Sequence, residues 1–397
     1  GIIRVLTPSS NGLEKRPKLR FPGFDEPYKQ CRIGDIYAER SQRGASDMEL
    51  LSVTMNDGVK PRSEIEGKDN SSEDKSNYKI VRKGDMVYNS MRMWQGANGI
   101  SPCDGIVSPA YTVLMPKQEI NNGYFAALFK SANLINEFRK NSQGMTSDTW
   151  NLKYPQIETI KIQIPSVSEQ DKVSELFGVL DARIVAQAQL IESLKKYKRG
   201  VNNQILSQID NSYNCRLGSV CEIVGGGTPD TLHTEYWGNT VEWFTPSEIG
   251  KTKYVNNSVR KLSDIGLNSS SAKLLPIGTV LLTTRATLGE MSIAKRECST
   301  NQGFQSLIPH TDRVSSEYLY YMQIIIKPWC EKYASGNTFR EISKSALSDC
   351  IIPIPDRTRQ NQIVKLLSSI DMLIGAEESI LMSLSKIRHA LMQQLFI

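Results

Sequence analysis

The sequence has few residues that could build a covalent or metal-linked framework. Its seven cysteines are scattered over 397 residues without a C-x-x-C pair, and only three histidines are present. An odd number of scattered cysteines in a chain of this length favours reduced thiols over a disulfide framework. Because paired cysteines are missing and histidines are scarce, we expect no zinc or other metal site in this chain.

The sequence also lacks a hydrophobic run that could cross a membrane. No segment approaches the roughly 18 apolar residues of a membrane helix, and the first ten residues are too weakly apolar for a signal peptide. We therefore expect a cytoplasmic protein without a membrane partner. The net charge of +6 is a mild basic excess, which permits nucleic acid as a partner without requiring it.

Motifs for catalysis are absent or incomplete. The sequence contains no G-x-x-x-x-G-K-[ST] phosphate-binding loop. Residues 108–111 resemble an amino-methyltransferase motif but lack its second proline. Residues 66–68 and 73–75 have the E-x-K spacing of nucleases, but they lie in the charged stretch 56–77, which we expect to be an exposed loop. The sequence therefore predicts no catalytic residues.

A long internal repeat is the strongest feature that is present. Residues 162–206 align without a gap to residues 352–396 at an offset of 190, and 12 of the 45 aligned pairs are identical. Substitutions along the apolar stripe of the repeat keep its positions apolar, as in Val173/Ile363, Phe177/Leu367, Leu180/Ile370, Leu190/Ile380, Val201/Leu391 and Ile205/Leu395. This pattern predicts a duplicated amphipathic helix.

The repeat predicts helices over 169–206 and 359–397, each roughly 55 to 60 Å long. An isolated helix of this length must bury its apolar seam, and the other copy is a partner of equal length. We expect antiparallel packing about a pseudo-two-fold axis, with a homodimeric coiled coil as the alternative. Ser166 with Glu169 predicts a capping box at the first helix, and Asp356 is the matching cap of the second. The residues expected in the coiled coil or in partner docking are Val173, Leu176, Leu180, Ile184, Leu194, Val201, Ile363, Leu366, Ile370, Ile374, Leu384 and Leu391.

A globular domain rich in short β-prone runs precedes each helix. We expect an α+β fold with an N-terminal extension (1–16), two globular domains (17–165 and 209–355) and two helical spacers (166–208 and 356–397). The domains share short motifs, such as residues 31–36 with residues 215–220, but their loops do not match. Similar scaffolds with different loops indicate two sites that perform one task on different targets.

Polar loops in both globular domains suit nucleic-acid binding. Arg can contact guanine, and Asn or Gln can pair with adenine, whereas glycine allows close approach to phosphates. An ordinary exposed loop around a core tryptophan is the alternative interpretation of the first loop, residues 89–95. The candidate DNA-binding residues are Asn89, Ser90, Arg92, Trp94, Gln95, Gln143, Thr146, Thr283, Thr284, Arg285, Thr287, Asn301, Gln302, Asn337, Thr338 and Arg340.

The layout of two globular domains, each followed by the same long helix, resembles the specificity subunit of a type I restriction-modification enzyme. The resemblance covers the whole chain and rests on these marks: residues 17–24, Ile164-Pro165 with Gln170, Ile354-Pro355 with Gln360, Asp181 and Ile184 with Asp371 and Ile374, and residues 225–229.

The resemblance implies a non-catalytic subunit. Each globular domain would be a target-recognition domain that reads one half of a split double-stranded DNA sequence, and the helices would set the distance between them. Two adenine-N6 methyltransferase subunits, which carry S-adenosylmethionine, would dock on this chain. Two restriction subunits that use ATP and Mg²⁺ would join them, so this chain would bind no cofactor itself.

Simple geometry constrains such a reader of DNA. Two readers on a stiff helix pair engage one face of B-DNA when their centres lie ~34 Å apart, about one helical turn. The target should therefore be bipartite and asymmetric, with an unread spacer. The alternatives are a non-DNA interaction protein with two ligand-binding heads, an enzyme with an unrecognised site, and the recognition subunit of another restriction or methylation-only system.

Overall fold

The computed structural model describes residues 17–44, 47–55, 57–69, 71–210, 213–285, 287–336 and 340–396, together with the backbone of Arg4–Val5. The chain forms two compact units, residues 1–189 with 378–397 and residues 190–377. Each unit contains one globular domain and part of each long helix. The side chains of the expected extension, residues 1–16, lie outside the described residues, and the domain boundaries given above remain a prediction.

The first unit is an α+β domain around a four-stranded antiparallel sheet. The sheet has the order β4-β11-β8-β9, and the short helices α2 and α3 pack on one side of it. Its elements are β1 (Arg4–Val5), β2 (Leu19–Arg20), β3 (Lys29–Arg32), α1 (Ile33–Ile36), β4 (Tyr37–Glu39), β5 (Leu51–Thr54), β6 (Gly58–Pro61), β7 (Lys79–Val81), β8 (Met86–Asn89), β9 (Asn98–Ile100), β10 (Gly105–Val107), β11 (Tyr111–Pro116), α2 (Asn122–Leu128), α3 (Ala132–Asn141), α4 (Tyr154–Ile157), β12 (Lys161–Ile164) and α5 (Val167–Ser207).

The second unit repeats this arrangement. Its main sheet has the order β14-β21-β18-β19-β16, in which the first four strands correspond to those of the first sheet. Its elements are β13 (Asn214–Arg216), β14 (Cys221–Gly225), β15 (Trp237–Phe244), β16 (Tyr254–Val255), β17 (Arg260–Leu262), α6 (Asp264–Asn268), β18 (Val280–Leu282), β19 (Met291–Ala294), β20 (Cys298–Thr300), β21 (Gln305–Pro309), α7 (Ser316–Tyr321), α8 (Gln323–Tyr333), α9 (Lys344–Ser348), β22 (Ile351–Pro353) and α10 (Arg357–Leu395).

The central strands β8 and β18 show why these sequences form buried sheets. Successive side chains of a strand point to opposite faces, so a strand that is apolar throughout must be covered on both sides. Met86 and Tyr88 pack in the core that contains the helices, whereas Val87 joins a separate core on the other face. In the second unit, Leu281 is likewise separated from its two neighbours in β18.

A glycine turn starts both central strands. Gly84 and Gly278 have φ angles of +89° and +86°. These angles favour glycine, because residues with a Cβ rarely adopt a positive φ. Gly84 N donates to Ser101 O, and Gly278 N donates to Ala294 O, each at 2.9 Å. The matching motifs at 83–87 and 277–281 therefore encode the same turn in both units.

The charged stretch 56–77 is not a loop throughout. Residues Gly58–Pro61 form β6, which pairs antiparallel with β5, and Val59 is buried between them and the sheet. The expectation of one long loop is wrong at this end, because a single buried valine among polar residues gives little periodic signal. Most described residues from 63 to 77 are exposed.

The predicted long helices are confirmed with slightly shifted bounds. The first, Val167–Ser207, is wider at both ends, and the second, Arg357–Leu395, begins and ends two residues earlier than predicted. A buried glutamine secures the first turn of each helix. Gln170 Nε2 donates to Pro165 O at 3.1 Å, and its Oε1 accepts from Asn121 N at 3.0 Å. Gln360 Nε2 donates to Pro355 O at 2.8 Å, and its Oε1 accepts from Ser315 N at 3.2 Å.

These glutamines tie each long helix to its own globular domain. Asn121 and Ser315 are the N-cap residues of α2 and α7. Gln170 and Gln360 are each 1% exposed, so their amides would be costly to leave without partners. The repeated glutamine seen in the sequence is therefore a repeated connection between a long helix and a short one.

The two helix caps differ from each other. Asp356 caps α10 as predicted, since Arg359 N donates to Asp356 Oδ1 at 2.9 Å. The predicted capping box at α5 is wrong for Glu169. Its carboxylate accepts from Arg20 Nε and Nη2, both at 2.8 Å, in a pair that is almost completely buried. A buried carboxylate requires a cationic partner more strongly than a solvated cap does.

Parts of the two long helices pack antiparallel within each unit. In the first unit, the rings of Phe177 and Phe396 stack with centroids 5.7 Å apart, and Arg388 Nη2 donates to Asp181 Oδ2 at 3.2 Å. In the second unit, Lys198 pairs with Asp371. Asp181 and Asp371 are equivalent in the repeat, as are Arg388 and Lys198, so one ion pair occurs twice. These contacts form within one chain and do not need a second copy.

Most of the predicted seam residues lie in the two cores. Val173, Leu176 and Leu391 belong to the core of the first unit, and Leu194, Val201, Ile363, Ile370 and Ile374 belong to that of the second. Leu180, Ile184 and Leu384 are half-buried, and Leu366 is exposed. The buried residues Phe177, Ile191, Leu367 and Met392 complete the seam.

A polar network joins the second globular domain to α10. Lys253 Nζ donates to Tyr321 Oη at 3.1 Å and to Ser368 Oγ at 3.0 Å, and Tyr321 Oη donates to Asp371 Oδ2 at 2.8 Å. Burial lowers the pKa of Lys253. The aspartate that pairs with Lys198 therefore also fixes the domain on its helix. Among the described residues, no helix is both long and apolar enough to span a bilayer.

Candidate nucleic-acid interface

The loop that follows β8 carries the first group of candidate residues. Asn89 Oδ1 accepts from Met91 N at 3.0 Å and shapes the turn, and Trp94 Nε1 donates to Met91 O at 3.1 Å. Arg92 and Gln95 are exposed. Ser90 is buried, and its hydroxyl shares a 2.8 Å hydrogen bond with Thr112, which favours a structural role.

A second loop, the hairpin at residues 143–151, lies beside the first. Gln143 and Asn151 pair through two backbone hydrogen bonds of 3.0 and 2.8 Å. The ring of Trp150 meets the ring of Trp94 edge-on, with centroids 5.2 Å apart, and Leu152 N donates to Ser90 O at 2.8 Å. The structure thus brings Gln143 and Thr146, both exposed, to the same region as Arg92 and Gln95.

The loop that follows β18 is the counterpart in the second unit. Thr283 and Thr284 are fully buried, and the Thr283 hydroxyl donates to Thr287 O, so both threonines favour a structural role. Arg285 Nε donates to Glu341 Oε2 at 2.9 Å, and Thr284 Oγ1 donates to Glu341 Oε1 at 3.3 Å. Glu341 therefore orients Arg285. Thr287 is exposed.

Two further segments converge on this loop. Thr284 N donates to Gly303 O at 2.8 Å, which places Asn301 and Gln302 beside it. Gln302 Oε1 accepts from Thr228, a residue of the glycine-rich segment 225–229. Gly226 lies so close to Asn301 O that a side chain could not fit between them. The glycine-rich segment is thus part of the candidate interface.

Trp243 contacts the glycine-rich segment through its indole N–H. Trp243 Nε1 donates to Gly227 O at 3.0 Å, and the ring of Trp243 meets Trp237 edge-on at 5.1 Å. The neighbouring Glu242 is paired with Lys261 at 2.7 Å. Burial opposes ionisation of Glu242, but hydrogen bonds from Lys261 and Ser258 outweigh it and lower the pKa of the carboxyl. The strand that contacts the glycine-rich segment is therefore itself held by hydrogen bonds and an ion pair.

The remaining candidates are less informative. Arg340 is exposed, but its guanidinium donates to the backbone oxygen of Glu331. Asn337 and Thr338 lie outside the described residues. The sequence did not single out Trp150 or Glu341, and it marked Thr228 only as part of the segment 225–229, because each acts through a contact with a residue at least 56 positions away. No local pattern could have indicated these contacts.

The comparison with protein families agrees with this arrangement. The model for the type I restriction modification DNA specificity domain matches residues 26–196 and again residues 210–386. The chain belongs to this family, and each match contains one globular domain. The predicted recognition of this family is confirmed.

Curated relatives carry the same assignment. The type I restriction enzyme MjaIX specificity subunit of Methanocaldococcus jannaschii is 35% identical over 186 residues, which cover 46% of this chain and 43% of that subunit. The EcoR124I/EcoR124II specificity subunit of Escherichia coli is 26% identical over 234 residues, which cover 54% of this chain and 57% of that subunit. The chain thus spans about half the length of these relatives.

Solved structures show the same fold. One chain, from a study of complex assembly and conformational transition of the type I R-M system, superimposes with a TM-score of 0.61 at 19% identity, covering 94% of this chain and 98% of the other. The S subunit of the type I restriction-modification system from M. genitalium gives a TM-score of 0.57 at 14% identity, covering 96% and 99%. The predicted fold, two α+β domains with paired long helices, is confirmed.

Proposed function

We propose that this chain reads a bipartite, asymmetric double-stranded DNA target through its two globular domains. Each domain would read one half-site with the loops that follow its central strand, and the long helices would fix the unread spacer between them. The observation that carries this proposal is the convergence of separate polar loops at equivalent places in the two units, after β8 and after β18.

Differences between the two sets of loops support an asymmetric target. The first set offers an exposed Arg92 with Gln95 and Gln143, and the described residues give Arg92 no ion-pair partner. The second set offers Arg285, which is oriented by Glu341, together with Gln302. Arginine and glutamine read different base edges when they are held in different geometries, so equal half-sites would not be expected.

Exposed apolar residues on the long helices support docking of partner subunits. Large exposed apolar side chains that lie together are typical of protein interaction sites. We propose that two adenine-N6 methyltransferase subunits dock on these helices and recognition domains, and that two restriction subunits join through them. The exposed residues in question are Val179, Val185, Ile380, Met382 and Ile387 in the first unit, and Leu190, Tyr197, Leu366, Met372 and Leu373 in the second.

The chemistry of such a complex would reside in the partner subunits. S-adenosylmethionine would bind to the methyltransferase subunits, and ATP and Mg²⁺ would bind to the restriction subunits. This chain would contribute affinity and selectivity. Because its net charge is only +6, we expect weak, salt-sensitive DNA binding by the chain alone and much tighter binding once a methyltransferase has docked.

Genome-wide mapping of N6-methyladenine tests the proposal directly. The chain is co-expressed with the methyltransferase subunit of its own system, in a host that lacks both, and methylated adenines are compared with those in a host that has the methyltransferase alone. We expect one split, non-palindromic motif with a constant spacer that depends on the chain. An exchange of Arg285 for alanine should relax one base position of one half-site and leave the other half-site intact.

Other outcomes distinguish the alternatives. A chain-dependent motif that is continuous rather than split would contradict the bipartite reading. The absence of any chain-dependent motif, together with unchanged mobility of duplex DNA, would favour an interaction protein with two ligand-binding heads. Turnover of S-adenosylmethionine by the chain without a partner would reveal an enzyme.

A further inference from the structure

Met145 is the most exposed large apolar side chain among the described residues, at 99% of its surface. It lies at the tip of the hairpin 143–151, beyond any apolar neighbour of the fold. Burying a methionine would stabilise the protein, so its full exposure serves no purpose in the folded chain alone. Its position therefore requires an explanation outside the core.

The hairpin tip is rigid. Thr149 N donates to Thr146 O at 3.0 Å, and Thr146 N donates to Thr149 Oγ1 at 3.1 Å. Gly144 has a φ of +141°, and a Cβ at this position would lie 2.6 Å from Thr149 O. Only glycine fits this approach without strain. Met145 is thus presented on a fixed turn, and holding it there adds little ordering cost when a ligand binds.

Side chains that suit hydrogen bonding to bases lie in the same region as Met145. The hairpin is held against the loop after β8 through the edge contact of Trp150 with Trp94. Arg92, Gln143 and Thr146 are exposed in this region and offer mainly hydrogen bonds, whereas Met145 and the less exposed Met91 offer larger apolar surfaces. In the major groove, the thymine C5-methyl group is the feature of a base pair that is read by apolar contact.

The repeat varies at this position. Residues 144–146 read Gly-Met-Thr, and the corresponding residues 336–338 read Gly-Asn-Thr. The glycine and the threonine are kept, whereas the residue between them changes from apolar to amide. The two hairpins differ in length, since Gln143 pairs with Asn151 but Ser335 pairs with Glu341. Residues 337–339 lie outside the described residues, so the comparison of the tips rests on the sequence. Variation between kept neighbours is expected of a residue that sets specificity.

We infer that Met145 is a specificity-determining residue that contacts the C5-methyl group of a thymine in the major groove of the first half-site. This inference rests on the proposed function, because it assumes that the first unit reads duplex DNA. It adds a residue and a base to that function. Met145 would discriminate thymine from the other bases by contact with a single methyl group.

The test replaces the methyl group and the methionine separately. Each thymine of the first half-site, as mapped for the unaltered complex of chain and methyltransferase, is replaced in turn by deoxyuridine, which lacks only the C5-methyl. We expect one replacement to weaken binding by the complex about fourfold, the effect of one buried methyl group. With Met145→Ala, the same replacement should have no further effect.

Matched variants control for a general loss of apolar surface. Met55→Ala removes an exposed methionine elsewhere in the first unit and should keep the preference for thymine over uracil. Met145→Asn, which installs the residue of the second half, should reduce this preference and change the base chosen at that position. Because Met145 is fully exposed, both of its variants should fold normally.

Several results would overturn the inference. They are a first half-site without thymine, a Met145→Ala complex that still prefers thymine over uracil, and a preference lost with Met91→Ala instead. A complex of the unaltered chain that binds no split DNA target at all would refute the proposed function itself. The two failures are therefore distinguishable.

Discussion

The two units of this chain share one fold, but different side-chain contacts stabilise the start of each long helix. Position 169 of the first helix and position 359 of the second are equivalent in the repeat. Glu169 is buried in a two-hydrogen-bond pair with Arg20, whereas Arg359 lies near the surface and donates weakly to Gln362 at 3.4 Å. The first unit therefore ties β2 to the start of its long helix through a buried ion pair, whereas among the described residues of the second unit Arg359 forms no buried pair of this kind.

This contrast shows which parts of a duplicated protein are free to diverge. The paired glutamines, the glycine turns and the repeated aspartate ion pair are the same in both units, because the position of each domain on its helices depends on them. The loops after β8 and β18 differ, and so does the charge in the first turn of each long helix. Neither feature is needed to hold a domain on its helices.

Removal of Glu169 should give the largest effect. Glu169→Ala leaves the buried Arg20 without a partner and should destabilise the first unit by about 3 to 5 kcal/mol. The matched variant Arg359→Ala should change the second unit by less than about 0.5 kcal/mol. Hydrogen exchange, resolved by unit, measures both changes. Equal effects in the two units would contradict the contrast.

A paired replacement sharpens this test. Arg20→Met with Glu169→Leu removes both charges and keeps apolar volume, so much of the lost stability should return. If the double variant is as unstable as Glu169→Ala, then packing rather than the unpaired charge accounts for the loss.

Removal of Gln170 or Gln360 should have an intermediate effect on stability, of similar size in the two units. Gln170→Ala and Gln360→Ala each remove a buried amide, and they leave a proline carbonyl and the half-buried N–H of Asn121 or Ser315 without their partner, at a cost of about 2 kcal/mol. Each variant should increase hydrogen exchange at the start of its own long helix and of the adjacent short helix, α2 or α7. If only one of the two variants loses protection from hydrogen exchange, then the two glutamines are not equivalent.

Release of Arg285 should have a smaller effect that appears only in DNA binding. Glu341→Ala frees the guanidinium, and we expect a loss of about 1 to 2 kcal/mol at one base of the second half-site, within the range of a single arginine contact. Glu341→Gln, which keeps one acceptor oxygen, should lose less. Competition binding with single-base variants of the target measures this change. An equal loss at first half-site bases would point to general unfolding.

Exchange of the repeated ion pair should give the smallest effect. Asp181→Arg should cost about 0.5 to 1 kcal/mol, because this pair is partly exposed, and adding Arg388→Asp should restore most of it. Asp371→Arg should cost more in the second unit, since Asp371 also accepts from Tyr321. Thermal unfolding of the single and double variants measures these differences. A Lys198→Asp exchange that fully restores Asp371→Arg would show that Tyr321 contributes nothing.

The sequence predicted the features that depend on local periodicity. The two long helices, the glycine turns and the equivalence of Asp181 and Asp371 could all be read from residues close together in the chain or related by one offset. The partner of Glu169 could not be predicted, because Arg20 lies 149 residues away. A serine and a glutamate three residues apart indicate a capping box, and only the burial of Glu169 shows that a different partner holds it.

The candidate site was predicted only in part for the same reason. Polar residues after β8 and β18 were visible in the sequence, but the meeting of Trp94 with Trp150 and of Arg285 with Glu341 depends on the tertiary fold. Burial then divides the candidates. Ser90, Thr283 and Thr284 are held inside the fold, whereas Arg92, Gln95, Gln143 and Thr146 remain accessible.

The most direct test of the shared frame is a chain that carries the second globular domain twice. Residues 209–355 replace residues 17–165, which joins the inserted domain to the first long helix at the equivalent proline. Because Arg20 is removed with the first domain, Glu169→Arg is also introduced, which matches the residue at the equivalent position 359. N6-methyladenine is then mapped with the methyltransferase present. We predict an inverted repeat of the second half-site with the spacer unchanged. Continued methylation of the original asymmetric target, or a changed spacer, would contradict the account.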